Sequence, residues 1–172
     1  MKKRNSILSF RKGNAVTDTI TVLVFLLVFV IIGITAKYVF NEVNDDMQAN
    51  PDMGNTTKDT VGAVHARSGN FLDGLFLFFF ILIWALMIVA SFMVDSHPIF
   101  FIFTIILMVF VFFLGALLGN VYEGLTDDAE LDAVIAADFP ITDWIMSHFL
   151  LSCIVVGFSI IIVLFGKNRA SQ

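Results

Sequence analysis

Four long stretches of this chain carry no charge between their ends, and that pattern constrains the fold more than any other feature. Ile20 to Ala36 is apolar, and Tyr38, Val39 and Phe40 extend it. Gly74 to Val94, Ile99 to Gly119 and Trp144 to Gly166 follow. At about 1.5 Å of rise per residue, each run crosses a hydrocarbon core of roughly 30 Å as a helix. Strands would leave backbone groups unpaired in lipid, and the runs lack the alternation of barrel strands. The expected fold is therefore an all-α integral membrane protein with four transmembrane helices in an antiparallel bundle. The spans are expected at about residues 19–40, 72–94, 98–120 and 143–166, within one membrane domain covering residues 1–172.

Composition agrees. Apolar residues make up 58% of the 172 and charged residues 15%, with 20 Phe. A soluble domain of this size holds about a quarter charged residues and could not hide four such runs from water.

Orientation follows from Lys and Arg. Lys2, Lys3, Arg4, Arg11 and Lys12 precede the first span, and Lys167 and Arg169 follow the fourth. With four crossings all seven fall on one side, so both termini are expected on the cytoplasmic face. The outer loops, 41–71 and 121–142, hold most of the acids. These are Glu42, Asp45, Asp46, Asp52 and Asp59 in the first loop, then Glu123, Asp127, Asp128, Glu130, Asp132 and Asp138 in the second, with Asp73 and Asp143 at the span edges. Arg11-Lys12-Gly13 ahead of an apolar helix, with Asp18 five residues after the glycine, resembles a prepilin-type leader. The resemblance covers the first span alone, and pilins carry no three further spans, so an uncleaved anchor is expected.

Residues 41–70 are rich in Asn, Asp, Gly and Thr, with Pro51 and Gly54 as breakers, and read as an exposed loop with helix continuing no further than Asn44. Caps are expected at Thr17 or Asp18, Asn70 or Asp73, Ser96 with Pro98, and Thr142 or Asp143. Lys37 is expected to snorkel to the headgroups. In the second loop, Asp127 followed by Glu130 resembles a capping box. Leu131, Val134, Ile135 and Phe139 then fall on one helical face before Pro140. A short extra helix is expected there, either a docking surface or a connector covering the end of the bundle.

Chemistry-bearing groups are sparse. The second and third spans hold no ionisable group at mid-depth, which argues against a proton relay or ion-coupled transporter. His148 and Asp143, five residues apart, are expected on different faces of the fourth helix, as interfacial polar residues. Trp84, mid-span, needs a hydrogen-bond partner and is expected to face protein. The acidic run 127–132 lacks the glycine and spacing of a calcium loop, and no nucleophile, phosphate or zinc motif occurs. No catalytic residue, cofactor or metal is expected, and basic residues are too few for a nucleic-acid footprint. Gly115 with Gly119, and Cys153 with Gly157, are small-xxx-small pairs that let helices approach closely, within one chain or in a homo-oligomer.

These features point to a non-enzymatic structural or assembly component of a membrane complex. Its partners would be the lipid bilayer and other membrane or shell proteins that meet the acidic outer loops. The membrane of a lipid-containing virus is one setting for such a protein. A small pore, channel or holin-like protein is the alternative.

Overall fold

The computed structural model describes residues 15–93 and 98–170, and among them every regular element is a helix. The basic N-terminal residues and residues 94–97, with the cap expected at Ser96, lie outside the described residues. Six helices follow in order: α1 (Ala15–Ala49), α2 (Asn55–Met93), α3 (Pro98–Thr126), α4 (Ala129–Asp138), α5 (Pro140–Ser147) and α6 (Phe149–Ala170). Three of them, α1, α2 and α3, are long and apolar enough to cross a membrane, and α5 with α6 forms a fourth candidate broken by a 76° bend. The continuous fourth span expected from the sequence is thus two helices. α1 is also already helical at Thr17 and Asp18, so neither residue caps it.

The spans turn apolar side chains both inward and outward. Leu23, Leu26, Leu27, Val30, Ile34, Phe76, Val111, Phe149 and Cys153 are buried together. Phe25, Ile32, Phe78, Leu86, Ile106, Val109, Phe113, Phe158 and Ile162 are exposed on the periphery. So large an apolar exterior is a liability in water and the normal state of a helix in lipid.

The first outer segment departs from expectation. Residues 41–70 do not form a loop: α1 runs on to Ala49, and α2 has started by Asn55. At 35 and 39 residues the two helices measure roughly 52 and 58 Å, about 22 and 28 Å longer than a bilayer core. The cause lies in a seam with alternating steps of four and three residues. On α1 it passes through Leu23, Leu27, Val30, Ile34, Lys37, Asn41, Asn44 and Gln48. On α2 it passes through Lys58, Gly62, His65, Gly69, Leu72 and Phe76. This is the spacing of a coiled-coil interface. Its apolar part packs among the spans, and its polar part holds the same two helices together beyond them.

Pro51 and Gly54 mark only the turn between α1 and α2. Asn50 closes it: its backbone N–H donates to Asp46 O at 3.1 Å, and its side-chain oxygen accepts from Asp52 N at 2.9 Å. Across the turn, Gln48 Nε2 donates to Lys58 O at 2.9 Å, while Lys58 Nζ donates to Gln48 O at 2.7 Å.

α4 packs against α1, α2 and α3 with Val134 and Ile135 buried, closing the end of the helix cluster from which residues 41–70 project. Its cap lies one residue beyond the expected Asp127. The Asp128 carboxylate accepts from Glu130 N at 3.0 Å and Leu131 N at 3.3 Å. Pro140, at the first position of α5, prevents α4 from continuing.

Candidate functional site

The polar groups at this capped end converge where α1, α2, α4 and α5 meet. Lys37 does not snorkel. Its side chain is 1% exposed, and its ammonium lies 3.5 Å from Asp138 Oδ1, the carboxylate that ends α4. The ammonium also donates to His65 O and to Ser68 Oγ, both at 3.0 Å. A lysine in this position cannot reach water, and a carboxylate and two oxygen acceptors take the place of its hydration. Gly69 makes the approach of α4 feasible, since a β-carbon there would lie 2.6 Å from Asp138 Cβ.

One turn outward, Asn41 Oδ1 and His65 Nε2 are 2.8 Å apart, and Tyr38 OH donates to Glu130 Oε2 at 2.6 Å. The cap is therefore bound to α1 at two points on α4.

A second cluster sits at the start of α5. Asp73, 3% exposed, does not cap its own helix. Instead Asp73 Oδ2 accepts from Ile141 N at 3.1 Å, and Asp73 Oδ1 accepts from Thr142 N and Thr142 Oγ1, each at 2.7 Å. The residue preceding α5 is Phe139, which offers no side-chain cap. A carboxylate carried in from α2 therefore satisfies the free N–H groups of α5 and sits favourably at its positive end.

Asp143 accepts from Tyr122 OH at 3.0 Å and from Ser147 Oγ at 3.2 Å. It makes no bond to His148, which ends α5 at the bend. There His148 Nδ1 lies 2.9 Å from Trp144 O, and its ring stacks on Trp144 at 5.4 Å.

No family model, curated protein or solved structure matches this chain. The functional reading therefore rests on the residues themselves.

The small residues lie between α3 and α6. A β-carbon on Gly115 would be 3.0 Å from Cys153 Sγ. On Gly157 it would be 2.9 Å from Met108 Sδ, and on Gly119 3.9 Å from Phe149 Cβ. The two small pairs touch at Gly115 and Cys153, whereas Gly119 faces Phe149 and Gly157 faces Met108 and Phe112.

Trp84 is half-buried and borders a cavity of about 80 Å³ lined by α1, α2, α3 and α6. Among the described residues its buried indole N–H meets no acceptor. A second cavity, about 150 Å³, lies between α1 and α2 against Phe139 and Thr142. Both are walled almost wholly by apolar side chains, which suits neither ion passage nor polar chemistry. Among the described residues no three His, Cys, Asp or Glu side chains converge at metal-binding distance.

Sequence reasoning missed the Lys37–Asp138 pair, the Asp73 cap and the polar seam of α1 and α2. The seam had a readable signal, because the four-and-three spacing of Leu23 to Ile34 continues without interruption through Lys37, Asn41 and Asn44.

Proposed function

We propose that this multi-pass membrane protein is a non-enzymatic structural or assembly component, which holds a rigid acidic cap at the outer face of a bilayer for another membrane or shell protein to bind. The observation that carries this reading is the polar seam of α1 and α2, bonded across at Lys37, Asn41 and Gln48. Its hydrogen bonds make residues 41–70 a stiff extension of the spans. A preorganised surface of this kind loses little entropy on association.

The charges on that surface support a basic partner. Glu42, Asp45, Asp46 and Asp59 are exposed on the hairpin, as are Asp127, Asp128 and Asp132 around the start of α4. The positive charges nearby are spent or few: Lys37 is buried in its ion pair, Lys58 is tied to Gln48, and Arg67 remains exposed. Opposite charge on the partner would speed encounter and fix orientation. The clustering of Lys and Arg at the two ends of the chain supports a cytoplasmic position for both termini.

Native mass spectrometry of the protein extracted from its source membrane tests the reading. A co-purifying protein is expected, released by raised salt and lost from the variant Glu42→Gln/Asp45→Asn/Asp46→Asn/Asp59→Asn. A solitary monomer in lipid overturns it. The apolar walls of both cavities weigh against the pore alternative, and dye release from liposomes carrying the protein would reinstate it.

A further inference from the structure

Helix α5 is built opposite to a surface helix in water. Thr142 and Asp143 turn inward and find partners on Asp73 and Tyr122, while Ser147 at the last position of the helix stays exposed and donates back to Asp143. Its outward face is Ile141, Trp144 and His148, spaced three and four residues apart, with Trp144 61% exposed. One exposed apolar side chain means little by itself. Its depth in the molecule gives this face its meaning.

Two independent bonds fix that depth. Asp73, which caps α5, stands on α2 directly before the uncharged stretch 74–91, with Arg67 a turn and a half further out. Tyr122, which donates to Asp143, stands on α3 directly after the uncharged stretch 105–121 and directly before Glu123. On both helices the contact with α5 falls where charge gives way to apolar side chains. Close to this level Phe71 and Val121 are also exposed, at 66% and 51%.

The 76° bend then turns α5 well away from the direction of α6. The uncharged part of α6, Phe149 to Gly166, is 18 residues and measures roughly 27 Å, within the range of lengths that span a hydrocarbon core.

We infer that α5 is an interfacial helix, lying along the outer surface of the bilayer with Ile141 and Trp144 inserted below the headgroups and His148 among them, so that α6 alone makes the fourth crossing. Tryptophan suits this depth because its ring is apolar and its N–H can reach hydrated lipid oxygens. His148 Nδ1 is held at the Trp144 carbonyl, which leaves Nε2 free for the headgroup layer. The stacked pair anchors the bend at a fixed height, and the cap built on Asp73, Tyr122 and Asp143 inherits that height.

The chain has two tryptophans, so Trp84→Phe leaves Trp144 as the sole indole reporter. The full chain would be reconstituted in phosphatidylcholine vesicles carrying a nitroxide either near the headgroup or near the end of the acyl chain. Trp144 is expected to lose most of its emission to the shallow label, and little to the deep label or to aqueous iodide. Stronger quenching by the deep label, free access by iodide, or silence toward all three quenchers overturns the inference. The last result would mean that protein covers the face. Should Trp84→Phe disturb the helical circular dichroism, a nitroxide at Ile141→Cys in a Cys153→Ala background gives the same depth by its collision rates with oxygen and a water-soluble nickel chelate. Equal, intermediate access to both is expected, and access to the chelate alone overturns the inference.

Discussion

Lys37 on α1 and Asp138 at the end of α4 form an ion pair of unequal shelter, 3.5 Å apart, with the lysine side chain 1% and the aspartate 23% exposed. The lysine is the deeper partner, and its remaining acceptors are uncharged. The pair joins the last turn of α4 to α1, beside the buried Val134 and Ile135 and the Tyr38–Glu130 bond that also hold this helix. The pair is therefore one of the contacts that place the cap.

Unequal shelter predicts unequal losses. Asp138→Ala leaves an almost dry ammonium without a counter-charge and is expected to cost about 3 kcal/mol, as for other broken buried pairs. Lys37→Met leaves a carboxylate that water still reaches, and should cost clearly less. The double variant Lys37→Met/Asp138→Ala is expected to be more stable than Asp138→Ala alone. Reversible denaturant unfolding in micelles measures all three, and equal costs for the two single variants would contradict the geometry.

The Asp73 cap predicts a local effect. Asp73→Ala removes a carboxylate that accepts three hydrogen bonds at the start of α5. The expected loss is about 2 kcal/mol, since buried bonds to a charged group exceed an ordinary helix cap. Amide exchange should accelerate at Ile141 and Thr142, while amides at the α1–α2 turn keep their rates. Unchanged protection at both α5 amides would remove the cap from the account.

How much of this was legible follows from which solvent each residue meets. The apolar runs of α1, α2 and α3 announce themselves because lipid accepts apolar side chains on every face. The buried stripe of α4 was readable too, in Leu131, Val134 and Ile135, with Pro140 as its stop. The polar stretch 41–70 was not, because Asn, Asp, Gly and Thr favour loops when nothing pairs with them. Here Asn41 and Gln48 find partners on α2, and tertiary pairing overrides propensity. The break at His148 was hidden for a related reason: Asp73, distant in sequence, supplies the cap that lets α5 stand as a separate helix.

A hairpin and a loop differ sharply in hydrogen exchange. Amides from Glu42 to Ala49 and from Lys58 to Asn70 are expected to be protected by orders of magnitude relative to an unstructured peptide, with fast exchange confined to residues 50–54. Gln48→Ala/Lys58→Ala, which removes the clamp across the turn, should raise exchange in the last turn of α1 and the first of α2. Protection at Asn41 and His65 should survive. Uniformly fast exchange through residues 41–70 would restore the loop reading and withdraw the rigid surface on which the proposed function depends.

Packing between α3 and α6 predicts a rescue. A methyl group at position 115 would press on Cys153 Sγ at 3.0 Å, tighter than van der Waals contact, whereas the Cys153 β-carbon stands back at 3.4 Å. Gly115→Ala is therefore expected to destabilise the protein by about 1–3 kcal/mol, the usual cost of overpacking. Cys153→Ala removes the obstructing sulfur and leaves a small void, a modest loss alone. Combined, the added methyl occupies the space the sulfur vacated, so the double variant should recover most of the stability that Gly115→Ala loses. Gly74→Ala serves as the control on α2, since a β-carbon there meets nothing within 4 Å and alanine favours helix by up to about 1 kcal/mol. Strict additivity of the 115 and 153 substitutions in thermal unfolding would show that the two helices do not meet at this pair.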